Sequence, residues 1–386
     1  MRILHVIPEL ADYNGGPPQA LATLARVQAA AGDDVTVLPC RITQGPQTLP
    51  AGRDGRLLVC EGVTHGRLLW YDARLKRALR ELIRSTDIVH VHGTWRYHLL
   101  GTAAAAREAG KPFLIRPYGN LGLAPRRHKA LLKMPYFALI ERPAVNRAAA
   151  IHCCSQKEQS ELADLNLKPR TFVIPLPIEI ALTQATPDFD ALHAHCPALS
   201  NRNLKTVVFL GRIARIKLLD RLIAAFAALS ASHPDWLLVL AGPHYEPETA
   251  QALAAQAYNA GLSDRVLMPG MIRDRAKAAL LTRADIFAQP SAHENFGISL
   301  AEALLFGKPS VVSDGVAIAD DVRTANAGIV CKPEIAPLRD ALANLMNDPE
   351  RRKSCGAAAR QLVQRFTPAT VAAQLRAEYE RCLAAR

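Results

Sequence analysis

Short apolar runs alternate with amphipathic segments along most of this chain, and they do so in two series separated by one break. The first series reads Ile3 to Ile7, Val35 to Leu38, Leu57 to Cys60, Ile88 to Val91, Pro112 to Ile115, Ile151 to Cys153 and Phe172 to Ile174. Between the first two runs, Gly15-Gly16-Pro17 turns the chain and Leu21, Leu24, Ala25 and Val27 recur at helical spacing. From Pro175 to about Asn203 the pattern dissolves into prolines, threonines and histidines. It restarts with Val207 to Leu210, Leu237 to Ala241, Val266 to Met268, Ile286 to Ala288 and Ser310 to Val312. Strands that alternate with helices build parallel sheets covered on both faces. A chain of 386 residues exceeds what one core usually organises.

The expected fold class is therefore α/β, with two Rossmann-like doubly wound domains facing across a cleft. The expected boundaries are an N-terminal domain over 1–177, a linker over 178–203 and a C-terminal domain over 204–366. A last helix over 367–386 is expected to pack back on the first domain. In such sheets ligands bind outside the carboxyl ends of the strands, so the loops after the strands are where chemistry belongs.

Two of those loops carry charge. After Ile286 to Ala288 come Gln289-Pro290-Ser291-Ala292-His293-Glu294-Asn295-Phe296-Gly297, and then a helical pattern from Ile298 that closes at Gly307. Glu294 lies before the helix and Glu302 about two turns along the chain from it. Between them stand the free N–H groups of a helix start, which favour an anion such as a pyrophosphate. A ligand with two hydroxylated rings joined by a diphosphate fits that arrangement, and a nucleotide sugar is such a ligand. After Leu210 the chain reads Gly211-Arg212-Ile213-Ala214-Arg215-Ile216-Lys217. Arg212 offers a planar fork and Lys217 a compact charge to a phosphate group. Each loop taken alone also reads as an ordinary solvated charged turn.

Together they carry a resemblance. Gly211-Arg212 with Lys217, Ala241-Gly242-Pro243, Gln289-Pro290-Ser291, Glu294-Asn295-Phe296-Gly297 with Glu302-Ala303, Gly307-Lys308-Pro309 and Val312-Ser313-Asp314 resemble, in order and spacing, the family-four retaining glycosyltransferases of the GT-B fold. Gly15-Gly16 before a helix extends the match to the N-terminus. The resemblance implies a nucleotide-sugar co-substrate, with UDP favoured over GDP, and no cofactor or required metal. It assigns the donor sugar to Glu294, the ribose to Glu302 and the diphosphate to Arg212 and Lys217. The backbone of Gly15, Gly16, Gly211, Asn295, Phe296, Gly297 and Ile298 is assigned to phosphate or sugar, and the Gly270-Met271 turn to the base. On the acceptor side it points to Tyr118, Gly119 and Asn120, and His92 at the end of its strand is the histidine best placed to join them.

The sequence departs from the family pattern at three places. Leu218 stands where glycine usually follows the phosphate lysine, Pro117-Tyr118-Gly119 replaces Pro-His-Gly, and Pro175-Leu176-Pro177 replaces Pro-Asn-Gly. A tyrosine of ordinary pKa near 10 is a poor base at neutral pH but still a hydrogen-bond donor. Asp188-Phe189-Asp190 has the form of a metal-binding motif, but it follows Pro187 inside the expected linker with no strand to fix it. It reads as chance.

The formal charge of +12 favours anionic partners. Lys111 to Ala149 holds eight cations against Glu141 alone, a net +7, interleaved with Leu131, Leu132, Met134, Tyr136, Phe137 and Leu139. That segment reads either as an amphipathic helix with a solvated face or as a contact with an anionic membrane surface. No apolar run is long enough to span a bilayer, and the first residues do not form a signal peptide, so the expected location is cytoplasmic, peripheral at the inner face of the cytoplasmic membrane. The eight cysteines show no paired spacing and read as reduced thiols. Aromatic residues make up only 5%, so stacking platforms for nucleic acid are scarce and no nucleic-acid partner is expected. The expected activity is transfer of a sugar to a glycan or lipid-linked acceptor in cell-envelope or exopolysaccharide synthesis. The rivals are a disaccharide synthase or phosphorylase of the same fold and a non-catalytic nucleotide- or nucleic-acid-binding protein.

Overall fold

The computed structural model describes residues 1–10, 16–41, 56–62, 71–127 and 130–385. The chain divides into two compact units, residues 1–177 with 368–386, and residues 178–367. Among the described residues of the first unit, seven parallel strands run as β1 (Arg2–Ile7), β2 (Asp34–Pro39), β3 (Leu57–Val59), β4 (Ile88–His92), β5 (Phe113–Arg116), β6 (Ala150–Cys153) and β7 (Arg170–Val173). Their order in the sheet is β3-β2-β1-β4-β5-β6-β7. β4 is buried along its whole length. The face bearing His90 and His92 is as dry as the one bearing Val89 and Val91, so those rings must find partners inside the protein.

The last helix, Pro368–Ala384, belongs to this unit. Its Val371, Leu375, Tyr379 and Cys382 pack with Ile3, Leu24, Ile88 and Leu114, and the Tyr379 hydroxyl meets His90 Nδ1 at 2.8 Å. Burying this face contributes about 1.5–3 kcal/mol per large apolar side chain, and Arg376 adds an ion pair to the buried Asp33 at its edge.

In the second unit six parallel strands are described, β8 (Lys205–Leu210), β9 (Trp236–Ala241), β10 (Val266–Gly270), β11 (Ile286–Gln289), β12 (Ser310–Ser313) and β13 (Gly328–Cys331), in the order β10-β9-β8-β11-β12-β13. The apolar runs do not reveal β13, which is four residues long, starts on glycine and lies half-buried at the sheet edge. The segment 178–203, expected as a linker, instead groups with this unit and forms short helices, including Phe189–His195. Asp188 caps that helix by accepting from the Ala191 N–H at 2.9 Å. The Asp-x-Asp pattern is thus a helix start. Arg275 Nε donates to the Thr186 carbonyl at 2.8 Å and holds the segment in place.

Each sheet reverses its strand order once, between β1 and β4 and between β8 and β11. The carboxyl ends of those pairs are the positions where doubly wound sheets bind ligands.

Candidate functional site

The loops that follow β8 and β11, on either side of the second reversal, are the two charged loops of the sequence. They are tied together by the backbone, with the Ala292 N–H donating to the Ile216 carbonyl at 2.9 Å. Glycine is required where β9 meets this junction, because a Cβ on Gly242 would lie 1.8 Å from the Gly211 carbonyl oxygen. After Gly211 the chain makes a tight turn over Arg215–Lys217 and then starts the helix Leu219–Ala227. Leu218 joins the two with φ 50° and ψ 41°, the left-handed conformation that glycine adopts freely. The loop therefore keeps a glycine-like path despite the substitution, at a strain of order 1 kcal/mol.

Lys217 is buried and its ammonium donates to Glu294 Oε2. The same oxygen accepts from Gln289 Nε2 at 3.2 Å. Glu294 itself is fixed by the backbone, its N–H to the Gly315 carbonyl at 3.1 Å and its carbonyl accepting from Ala317 at 3.0 Å. Gly297, at φ 97°, turns the chain into the helix Ile298–Leu305. A Cβ there would lie 3.1 Å from the Val316 side chain. Ile298 opens the helix, so the unpaired N–H groups of its first turn lie between Glu294 and Glu302. Asn295 Oδ1 is 2.8 Å from His293 Nε2. The Phe296 ring is buried edge-on against Phe366 and is not a ligand contact.

Glu302 is buried and accepts from Lys277 Nζ at 2.7 Å. Lys277 comes from the helix Asp274–Arg283. Sequence reasoning missed it, since a lysine on an amphipathic helix reads as part of a solvated face. Arg212 is exposed and stacks on the Tyr245 ring, 4.7 Å from its centroid. Gly270 ends β10 at φ 76°, followed by Met271, 39% exposed.

The acceptor-side residues, and the donor-side glycines Gly15 and Gly16, belong to the first unit. Gly15 falls outside the described residues, and Gly16 is the first residue of the helix Gly16–Ala30. His92, expected on the acceptor side, is fully buried, with both ring nitrogens met inside the protein. Its Nδ1 is 2.9 Å from the Tyr118 hydroxyl and its Nε2 is 3.0 Å from His5 Nδ1. His5 Nε2 in turn meets Gln28 Oε1 at 2.8 Å. A carbonyl oxygen only accepts, so the protons run one way: Tyr118 O–H to His92, His92 Nε2–H to His5, His5 Nε2–H to Gln28. Tyr118 thus gives its proton to the protein interior. Burial lowers His5 to about 4 and holds His92 well below the ordinary range, so the chain is neutral at pH 7.

The Gly119 N–H is committed as well, to the buried carboxylate of Glu158 at 2.5 Å. Asn120 is half-buried, and its carbonyl accepts from Trp95 Nε1 at 2.8 Å. The ring nitrogens of His5, His90 and His92 come within 4.8 Å of one another, near enough to share a cation. Two of them already bond to each other, and the Arg116 guanidinium makes all three less receptive to positive charge.

Two family models match the chain in tandem, one described as Glycosyltransferase Family 4 over residues 14–182 and one as Glycosyl transferases group 1 over residues 197–362. A 2-deoxystreptamine glucosyltransferase of Streptomyces kanamyceticus is 27% identical over 81% of this chain and 80% of its own length. A GDP-mannose:cellobiosyl-diphosphopolyprenol alpha-mannosyltransferase of Xanthomonas oryzae pv. oryzae is 25% identical over 81% of this chain and 79% of its own. Among solved structures, HepE of Anabaena in complex with UDP-glucose superposes with a TM-score of 0.74 at 19% identity, covering 99% of this chain and all of that one.

Proposed function

The chain belongs to the family-four glycosyltransferases of the GT-B fold, and from that premise we propose that it is a retaining enzyme that moves a sugar from a nucleoside diphosphate, UDP before GDP, to a glycan or lipid-linked acceptor in cell-envelope or exopolysaccharide synthesis. The observation that carries this reading is the pairing of Lys217 with Glu294 just before the helix that bears Glu302, at the strand-order reversal of the second sheet. A diphosphate laid on the N–H groups of that helix start has Lys217 on one side and the two carboxylates at its ends, one for each hydroxylated ring.

During transfer the anomeric carbon becomes positive while the departing diphosphate becomes negative. Lys217 and Arg212 would stabilise that leaving charge, the task a metal performs elsewhere, so no metal is needed. In the retaining course the leaving phosphate itself takes the acceptor's proton, and the protein's contribution is positioning and fixed charge.

The lipid-linked acceptor finds support in the first unit. Leu131, Leu132 and Leu139 are 92%, 74% and 78% exposed, beside Arg127, Lys133, Arg142 and Arg147. Lys129 lies outside the described residues. Such a surface suits the inner face of an anionic membrane, where each nearby cation contributes about 1 kcal/mol. No helix among the described residues is long and apolar enough to cross a membrane. A small soluble acceptor is the second reading, favoured by the likeness to the 2-deoxystreptamine enzyme.

Turnover with a panel of UDP- and GDP-sugars tests the proposal. Arg212→Ala and Lys217→Ala should each lower it about a hundredfold or more, far more than they lower stability. Rates within about threefold of wild type for both variants contradict the assignment.

A further inference from the structure

Each of the two glutamates is met by its own lysine, and the two pairs differ in kind. Lys217 has an expected second partner, the diphosphate, so its bond to Glu294 is one that donor binding exchanges. Lys277 has no such role. It arrives from a separate helix and places its ammonium 2.7 Å from Glu302 Oε1. The Glu302 side chain is 9% exposed and that of Lys277 22% exposed. A carboxylate this far out of water is costly unless a charged partner stands beside it. Lys277 occupies only Oε1; Oε2 takes no protein hydrogen bond among the described residues and is not sealed from solvent.

We propose that Lys277 is a positioning residue of the donor site, fixing the carboxylate of Glu302 so that its second oxygen faces the ribose. The proposal rests on the reading that Glu302 takes the ribose. The nucleoside end of the ligand does not change during transfer, so a group that acts through it affects binding in the ground and transition states alike. A lysine that merely ties two helices together would instead alter stability and leave donor affinity where it was.

The test is calorimetry of UDP and GDP, with donor kinetics and melting curves, on wild type, Lys277→Met, Lys277→Arg, Glu302→Gln and the Lys277→Met/Glu302→Gln double variant. Binding of UDP or GDP to the wild type is read first. If neither binds, the donor reading itself fails and takes this assignment with it. Given binding, Lys277→Met should weaken the nucleotide and raise the donor KM about tenfold, with kcat within about twofold. Lys277→Arg should recover most of the loss. In the Glu302→Gln background the Lys277 change should add nothing further, because the two act through one contact. Unchanged affinity in Lys277→Met, a loss confined to kcat, or a full additional loss in the double variant would overturn the assignment while leaving the donor site in place.

Discussion

Lys217 cannot hold Glu294 and a diphosphate equally well, and that competition gives the two glutamates opposite signatures. Glu294→Gln removes a negative charge from beside the phosphate and releases Lys217, so free UDP or GDP should bind several-fold more tightly, while turnover falls tenfold or more because the contact to the reacting sugar is lost. Glu302→Gln should mainly raise the donor KM and weaken the free nucleotide. Calorimetry on the two variants decides this: looser nucleotide binding in Glu294→Gln together with unchanged binding in Glu302→Gln means the roles are exchanged. Glu294 and Glu302 stood out in the sequence because they flank the start of one helix after an apolar run, and Lys217 because it closes a basic loop directly after another. Lys277 did not, since it sits on an amphipathic helix and only the fold brings it to Glu302. The burial of His92 was hidden for the same reason. A histidine at the end of a strand looks available until its partners are known, and they stand on β1, 87 residues earlier, and after β5, 26 residues later.

At the scale of elements, the parallel sheets concentrate buried histidine in the first unit. His5 on β1, His90 and His92 on β4, His98 in the helix after β4 and His152 on β6 are all driven toward the neutral form by burial. A ring whose folded pKa lies below its unfolded value of about 6.5 binds more protons when unfolded, so stability rises with pH across that interval. The cost is absent above pH 6.5 and grows as pH falls toward 4, at no more than about 1.4 kcal/mol per pH unit for each ring. Calorimetric scans from pH 7.5 to 4.5 should therefore show the first unit melting progressively earlier than the second. A first transition that stays put over this range contradicts the neutral, buried assignment. The strands were legible here because both faces of each central strand are apolar or paired. The helix Phe189–His195 was not, because its cap and turns are built from the same prolines and polar residues that mark a linker.

For the whole molecule, the two-unit α/β architecture follows from the two alternating series, whereas the acceptor does not follow from any motif. The exposed leucines of 131–139 and the cations around them predict sedimentation with anionic liposomes at low salt and release at high salt, since Debye screening shortens to about 3 Å at 1 M. Failure to bind at low salt removes the membrane contact and moves the soluble acceptor to first place. The central claim, a nucleotide-sugar site at the carboxyl ends of β8 and β11, is tested most directly by a thermal-shift screen of UDP- and GDP-sugars on wild type and Lys217→Ala. A ligand at a hundred times its dissociation constant adds about 2.7 kcal/mol to the folded state. The account predicts that at least one nucleotide sugar raises the melting temperature of the wild type by several degrees and that the shift collapses in Lys217→Ala; no shift with any donor, or an equal shift in both proteins, would contradict it.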